Sequence, residues 1–338
     1  MSRDALKTLF YPFEAGMLPM PSAGGRVLFL SAEPGFRLPD GFDCDLSLVQ
    51  GFRPDFLALQ REGHRIGASV EGDGYAVALV LCGRHRGENE LAVADALERV
   101  ADGGLVVVAG GKEEGVASLA RRLGKLVALD GQAPKYHGLA FWFRVAGDRR
   151  ALAGELKRLN PPALIDGRFE TAPGMFSHGR IDPGSRLLAE ALPADLSGKV
   201  ADFCAGWGYL SAMLIDRCKR IASVDLYEAD YQSLDAARRN LAGTPVETAF
   251  FWRDLVAEPV EARYDAIVMN PPFHQGRAAE PGIGSKLITV AAKALKSRGS
   301  LYLVANKGLP YERDLAALLP QYRQTASDKA FNIFIARR

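Results

Sequence analysis

The chain alternates short apolar runs, rich in β-branched and aromatic residues, with segments whose apolar residues recur at helical spacing. That alternation restricts it to strand–helix–strand units on mostly parallel sheets. In the C-terminal half, strands are predicted at Lys199–Phe203, Ile221–Asp225, Tyr264–Asn270, Ser300–Asn306 and Phe331–Ala336, with a further strand ending near Arg253-Asp254. Helices are predicted at Tyr209–Ile215, Asp230–Leu241, Ser285–Leu295 and Glu312–Leu318. In the third of these, Leu287, Ile288, Ala291, Ala292 and Leu295 form one apolar stripe.

The N-terminal half repeats part of this plan. Val27–Leu30 and Tyr75–Leu81 read as strands and Glu90–Val100 as a helix. Gly103-Gly104 leads into the strand Leu105–Ala109, as Gly299 leads into Ser300–Asn306. Ala68-Ser69-Val70-Glu71 echoes Ala222-Ser223-Val224-Asp225. The expected fold class is α/β: two tandem doubly wound sheets over 1–155 and 156–338, joined between Gly147 and Phe169. A length of 338 residues suits two such domains.

Other features narrow the function classes. No apolar run approaches the roughly 20 residues of a membrane helix. Met1–Gly16 lacks the apolar core of a signal peptide, so a cytoplasmic protein is expected. Four scattered cysteines and five dispersed histidines show no ligand spacing, and no metal is expected. A net charge of +2 and a pI near 8.3 permit a polyanionic partner without demanding one.

Two motifs carry chemistry. Asp202-Phe203-Cys204-Ala205-Gly206-Trp207-Gly208 follows an apolar strand and opens a helix, where a nucleotide-like ligand meets a doubly wound sheet. Glycines there allow close backbone approach. Asp225, about 20 residues on, is expected to end the next strand, where an acidic residue can accept from ribose hydroxyls. Taken alone, the loop also admits a lesser reading as a tight strand-to-helix turn; a dehydrogenase loop fits less well, because the spacing is not G-x-G-x-x-G.

The second motif, Asn270-Pro271-Pro272-Phe273, ends a hydrophobic strand and so shares a sheet edge with the loop. An exocyclic amine on a base is a poor nucleophile because its lone pair is delocalised into the ring. The Asn270 side-chain oxygen and a carbonyl near Pro271 can accept both of its N–H bonds and aim that lone pair. Prolines stiffen the loop. Phe273 offers a ring on which a splayed base can stack. Asn160-Pro161-Pro162 follows a helical segment, carries Ala163 in place of the aromatic, and reads as a linker turn. The place matching Asn270 in the first half holds Leu81-Cys82-Gly83-Arg84, so only the second half is expected to be catalytic.

The glycine loop resembles the D-x-G-x-G-x-G loop of class I methyltransferases, with Cys204 in place of the first glycine. That resemblance implies a Rossmann-like fold and S-adenosylmethionine as cofactor. Asp202, Cys204, Ala205, Gly206 and Gly208 would lie around the methionine moiety, Asp225 and Leu226 beside the ribose, and Asp254 near the adenine.

Pro173-Gly174-Met175-Phe176-Ser177, Ile181-Asp182-Pro183-Gly184-Ser185, Asn270-Pro271-Pro272-Phe273-His274 and Val304-Ala305-Asn306 narrow the likeness. They resemble the bacterial 16S ribosomal RNA guanine-N2 methyltransferase family, which has tandem methyltransferase-like domains with a degenerate first copy. The resemblance implies that Phe176, Ser177 and Asp182 help close over the cofactor, with Asn270 also touching it. It implies ribosomal RNA or the small subunit as substrate; the short apolar runs suggest no membrane partner, and a decayed copy fused in cis suits a monomer. Adenine-N6 or protein-glutamine methylation, and a non-catalytic assembly factor, remain alternatives at the level of sequence.

Overall fold

The protein is described by a computed structural model covering residues 4–272 and 281–338. It divides into two compact units: Met1–Pro162 with Ala172–Gly174, and Ala163–Thr171 with Met175–Arg338.

The first unit has helices α1 (Asp4–Glu14), α2 (Arg53–Arg61), α3 (Arg86–Arg99), α4 (Val116–Leu123) and α5 (Arg149–Leu159). Its strands are β1 (Gly25–Leu30), β2 (Cys44–Val49), β3 (Ile66–Gly67), β4 (Tyr75–Leu81), β5 (Val100–Gly111), β6 (Gly131–Lys135) and β7 (Gly138–Arg144). The second unit opens with a small hairpin, β8 (Ala163–Ile165) and β9 (Phe169–Thr171), and helix α6 (Pro183–Ala191). Its main strands are β10 (Ser197–Phe203), β11 (Arg220–Glu228), β12 (Glu247–Trp252), β13 (Tyr264–Met269), β14 (Leu295–Asn306), β15 (Gln321–Ser327) and β16 (Phe331–Arg337). Its remaining helices are α7 (Tyr209–Arg217), α8 (Tyr231–Asn240), α9 (Pro281–Ala294) and α10 (Tyr311–Leu318).

The two sheets have one topology. The first runs β3-β2-β1-β4-β5-β7-β6 and the second β12-β11-β10-β13-β14-β16-β15. Six strands of each run in one direction, and one, β7 or β16, is inserted antiparallel between the fifth and the edge strand. The class I methyltransferase fold is therefore present twice.

Finer details repeat as well, and the fold does not dictate them. Tyr75 pairs Val100 and Val77 then pairs Leu105; Tyr264 pairs Leu295 and Ala266 then pairs Ser300. Beside each irregularity sits a left-handed residue, Gly103 (φ 74°) or Arg298 (φ 67°). Its N–H donates to the carbonyl of Val145 at 2.9 Å or of Arg338 at 3.1 Å. An unrelated pair of α/β domains would have no reason to share such a bulge, which is a conserved local device within a lineage.

Each sheet is buried by helices whose apolar stripes meet it. In α1, Leu6, Leu9, Phe10 and Phe13 recur at helical spacing and pack with Phe29 and Leu79 on one face of the first sheet. In α9, Leu287, Ile288, Ala291 and Ala292 join Ile267, Met269 and Leu303 in the core of the second.

Two sequence expectations change here. The expected boundary after residue 155 falls inside α5, whose Ala153 and Leu156 are buried in the first unit's core. Asn160-Pro161-Pro162 is more than a linker turn. Asn160 caps α5 and is buried, and its amide donates to Glu90 Oε2 at 2.6 Å and to the Leu156 carbonyl at 2.9 Å. Asn160→Ala should lower stability by about 1–3 kcal/mol in denaturant unfolding, because it leaves the buried Glu90 one donor short. An unchanged midpoint would show that the contact is dispensable.

Candidate functional site

The order of the second sheet reverses between β10 and β13, the switch point at which doubly wound sheets leave a crevice. Phe203 and Met269 are paired neighbours at the ends of those strands. Cys204 and Asn270 follow them directly, so the glycine loop and the Asn-Pro-Pro run emerge side by side. The cleft above them is lined by Phe176, Ser177, Asp182, Ser185, Cys204, Gly206 and Asn270, among others.

The loop after β10 keeps its shape despite the missing glycine. Cys204 itself adopts the left-handed region at φ 61°, followed by Gly206 at φ 54° and Gly208 at φ 89°. A non-glycine residue there costs roughly 1–2 kcal/mol, which the surrounding structure must offset. Burial pushes the Cys204 thiol well above its ordinary range, so it stays neutral and is no thiolate nucleophile. The two glycines serve different purposes. A Cβ on Gly208 would lie 3.2 Å from the Cβ of Ala237, so this residue lets α7 and α8 pack closely. A Cβ on Gly206 would meet nothing within 4 Å and would project into open space. Trp207, buried between them, donates its indole N–H to the Phe176 carbonyl at 2.9 Å and ties the Phe176–Ser177 segment to the loop. Phe176 remains 55% exposed.

Two acidic groups sit under the loop. Asp202, fully buried, accepts from the Ser211 hydroxyl at 2.7 Å, while its other oxygen has no partner among the described residues. Burial, against the relief of the Ser211 bond and with the nearby Glu228 charge adding, pushes its pKa up to about 7. Glu228 ends β11. It accepts from the N–H groups of Gly206 (2.7 Å), Ala229 (2.7 Å) and Asp230 (2.8 Å). Burial raises its pKa to about 7 as well, against those bonds.

Glu228 replaces Asp225 as the acidic residue at the strand end. β11 continues three residues past the predicted end because β12 pairs with it as far as Glu228 and Trp252. Asp225 lies within the strand, 4% exposed, accepting from Tyr264 Oη at 2.7 Å and paired with Lys199 Nζ at 2.8 Å. Leu226 is likewise buried inside the strand. Asp230, the predicted start of the helix, caps α8 through the Ser233 N–H at 2.7 Å and leaves only Ala229 to separate Glu228 from it, a spacing that marks Glu228 as the strand end. Asp254 follows the end of β12 and turns inward on its own loop, accepting from the Val256 N–H at 2.9 Å.

The Asn-Pro-Pro run is held from α6. Asp182 caps this helix, accepting from the Ser185 N–H at 2.8 Å, and Pro183 takes the first helical position, where its missing donor is harmless. Gly184 is required by close packing: a Cβ there would come within 3.0 Å of the Phe331 ring. The Asn270 amide donates to Asp182 Oδ2 at 3.0 Å and to Ser185 Oγ at 2.8 Å. A carboxylate can only accept, so the nitrogen must face Asp182, and the Asn270 carbonyl oxygen is the atom left to accept from a ligand. Asp182 thus orients Asn270, a role sequence reasoning did not assign to it, and Ser185 is a further addition. Pro271 is buried and Pro272 half-buried. Phe273 lies outside the described residues. No group of metal-ligating side chains occurs among the described residues.

The first unit has the same loop without the chemistry. Ser31, at φ 56°, stands where Cys204 does, and the Ala32 N–H donates to the Val49 carbonyl as that of Ala205 does to Tyr227. Gln50 takes the place of Glu228. Its Oε1 accepts from the Phe52 N–H at 2.8 Å, but its nitrogen turns to the Ala32 carbonyl at 2.7 Å. Leu81, 1% exposed, occupies the position of Asn270.

The family model of the methyltransferase small domain matches residues 166–335, the stretch that builds this site. The chain belongs to the methyltransferase small domain family. Relatives named ribosomal RNA small subunit methyltransferase C include one from Chromohalobacter salexigens, 39% identical over 172 residues, covering 50% of this chain and 50% of that protein. One from Hahella chejuensis is 36% identical over 168 residues, covering 50% and 48%. The chain spans about half the length of the curated relatives it matches. The T. thermophilus 16S rRNA N2 G1207 methyltransferase, solved with AdoMet and guanosine, superposes with a TM-score of 0.78 at 22% identity. That match covers 99% of this chain and 92% of the other, so this family member shares its two-unit fold.

Asp202 and Glu228 set a pH dependence. Their folded pKa values, about 7, lie above the ordinary 3.8 and 4.5, so the folded state holds more protons between those values. Stability should therefore fall as pH rises from about 4 to 7 and then level off. Glu228→Gln should flatten this dependence in thermal melts. An equally steep profile in the variant would remove Glu228 as a cause.

Proposed function

We propose that this protein methylates the exocyclic N2 amine of a guanine in 16S ribosomal RNA, using S-adenosylmethionine, as a cytoplasmic monomer. One observation carries the reading: the Asn270 amide, tied to Asp182 and Ser185, leaves its carbonyl oxygen to accept from an amine at the end of β13. The names of the relatives supply the substrate class.

The residues present fit the cofactor. Gly206 leaves the space a side chain would fill. The unpartnered Asp202 oxygen suits the ammonium end of a methionine moiety. Glu228 uses three of roughly four acceptor sites on its carboxylate and retains one for a ribose hydroxyl. Phe176, Ser177 and Cys204 line the same cleft and would border the ligand; Asp254 would approach its base from the end of β12. When bound, S-adenosylmethionine supplies a methyl group on a sulfonium, an activated electrophile.

The protein's own groups prepare the nucleophile. Asn270 Oδ1 accepts one N–H of the target amine and a backbone carbonyl near Pro271 accepts the other, which draws the nitrogen out of conjugation and turns its lone pair toward the cofactor side of the cleft. The proton leaves after transfer, so no strong base is needed. The first unit, with Leu81 and Gln50 at the corresponding places, would serve in RNA recognition and support.

Tritium transfer to small subunits and to free ribosomal RNA, followed by nucleoside analysis, should yield N2-methylguanosine; N6-methyladenosine or labelled protein would contradict the reading. Asn270→Ala should reduce transfer by a factor on the order of 100 or more with cofactor affinity nearly unchanged in titration calorimetry. Affinity for the cationic cofactor should rise between pH 6 and pH 8 as Asp202 and Glu228 ionise, and Asp202→Asn should flatten the rise; an unchanged profile in that variant would exclude Asp202 from the site.

A further inference from the structure

The hairpin between β6 and β7 turns on Tyr136 and His137, both left-handed, at φ 48° and 58°. Lys135 pairs with Gly138 across it, so the turn has two residues, the geometry that favours Asn-Gly because both positions need positive φ. Histidine tolerates that region better than most side chains, but the bulky aromatic Tyr136 is held there against local preference. The corresponding hairpin of the second unit, between β15 and β16, avoids this: Asp328 closes it by accepting from the N–H groups of Ala330 (2.8 Å) and Phe331 (2.7 Å). Strained, exposed positions kept by bulky residues point to a use for the side chains.

Those side chains form a platform. Tyr136 is 38% exposed, and Tyr11 of α1 meets it edge-on, with ring centroids 6.1 Å apart. Lys135 Nζ lies 5.3 Å from the Tyr11 ring and 5.6 Å from the Tyr136 ring, and Lys7 Nζ lies 5.9 Å from the latter. The base of the hairpin is clamped. The Thr8 hydroxyl donates to the Lys135 carbonyl at 2.9 Å, and a Cβ on Gly138 would meet the Gly110 carbonyl at 2.6 Å. Among the described residues, Asp4 pairs with Lys7 at 3.4 Å. An aromatic face bracketed by two ammonium groups is complementary to a base followed by its phosphates.

We propose that the β6–β7 hairpin tip, with Tyr136, Tyr11, Lys135 and Lys7, is a docking site for single-stranded RNA, with one base stacked on Tyr136. The choice of RNA over other anions rests on the proposed activity toward ribosomal RNA. The site lies wholly within the first unit and shares no residue with the cleft above β10 and β13.

The test uses the full chain and a fluorescein-labelled single-stranded RNA of mixed sequence, read by anisotropy. Tyr136→Ala should weaken binding about 5- to 150-fold, the range for removing one stacking ring, and Tyr136→Phe should restore it. Lys135→Ala should lower the slope of log affinity against log salt by about 0.7. Tyr136→Gly separates function from structure: it relieves the left-handed strain, so the melting temperature should hold or rise while RNA affinity falls. Unchanged RNA affinity in Tyr136→Ala and Tyr136→Gly would overturn the proposal, as would a wild-type chain that binds no single-stranded RNA. Loss of affinity for the assembled subunit alone, with free RNA affinity intact, would also overturn it, since it would indicate a protein contact. Because binding is read without methyl transfer, failure here is distinct from failure of the guanine-N2 assignment, which the nucleoside analysis decides.

Discussion

Asp182 Oδ2 accepts two hydrogen bonds, one from the Ser185 N–H at the start of α6 and one from the Asn270 amide beyond β13. The first is an ordinary helix cap. The second uses the same atom to determine which way an amide points, and that direction decides what the cleft can do. An unrestrained asparagine could offer an amine either its donor or its acceptor. Here both amide hydrogens are committed, and only the acceptor faces a ligand. Gly184 and Pro183 let α6 approach closely enough for this, and the Trp207 indole holds the preceding Phe176 segment to the glycine loop.

The two units show how such a site is lost while its scaffold remains. The first keeps the strand order, the irregularity after Tyr75 and even a left-handed serine in the loop. Phe29 stands for Asp202, and three further substitutions remove the rest of the chemistry. Leu81 stands for Asn270, Gln50 for Glu228, and Glu33 for Gly206. Gln50 is the most informative, because its nitrogen turns to the Ala32 carbonyl and closes the loop on itself. Backbone features that hold a sheet together lie in the core, whereas the ligand contacts lie in loops, which tolerate change.

Much of this was legible in the sequence. The predicted strand at Tyr75–Leu81 matches β4, and the predicted helices of the second half match α7 to α10 within a few residues, because apolar period reports burial directly. The Asn270 run stood out because it ends a hydrophobic strand. What escaped were features that depend on neighbours distant in sequence. β11 reaches Glu228 only because β12 pairs with it there, which leaves Asp225 three residues short of the strand end. Asn160 is a buried bond to Glu90, 70 residues away, and not a bare turn. Ser185 acquires its role from Asn270, 85 residues away. Local pattern carries none of these.

The orienting bonds around Asn270 can be tested without altering Asn270. Asp182→Ser keeps a helix cap, since serine caps as well as aspartate, and Ser185→Ala removes the other acceptor. The most direct measurement is kcat for methyl transfer by the double variant, with cofactor affinity followed in parallel. If the locked amide aims the amine, kcat falls on the order of 100-fold while cofactor affinity changes little. A double variant that binds the cofactor and turns over at the wild-type rate would contradict it.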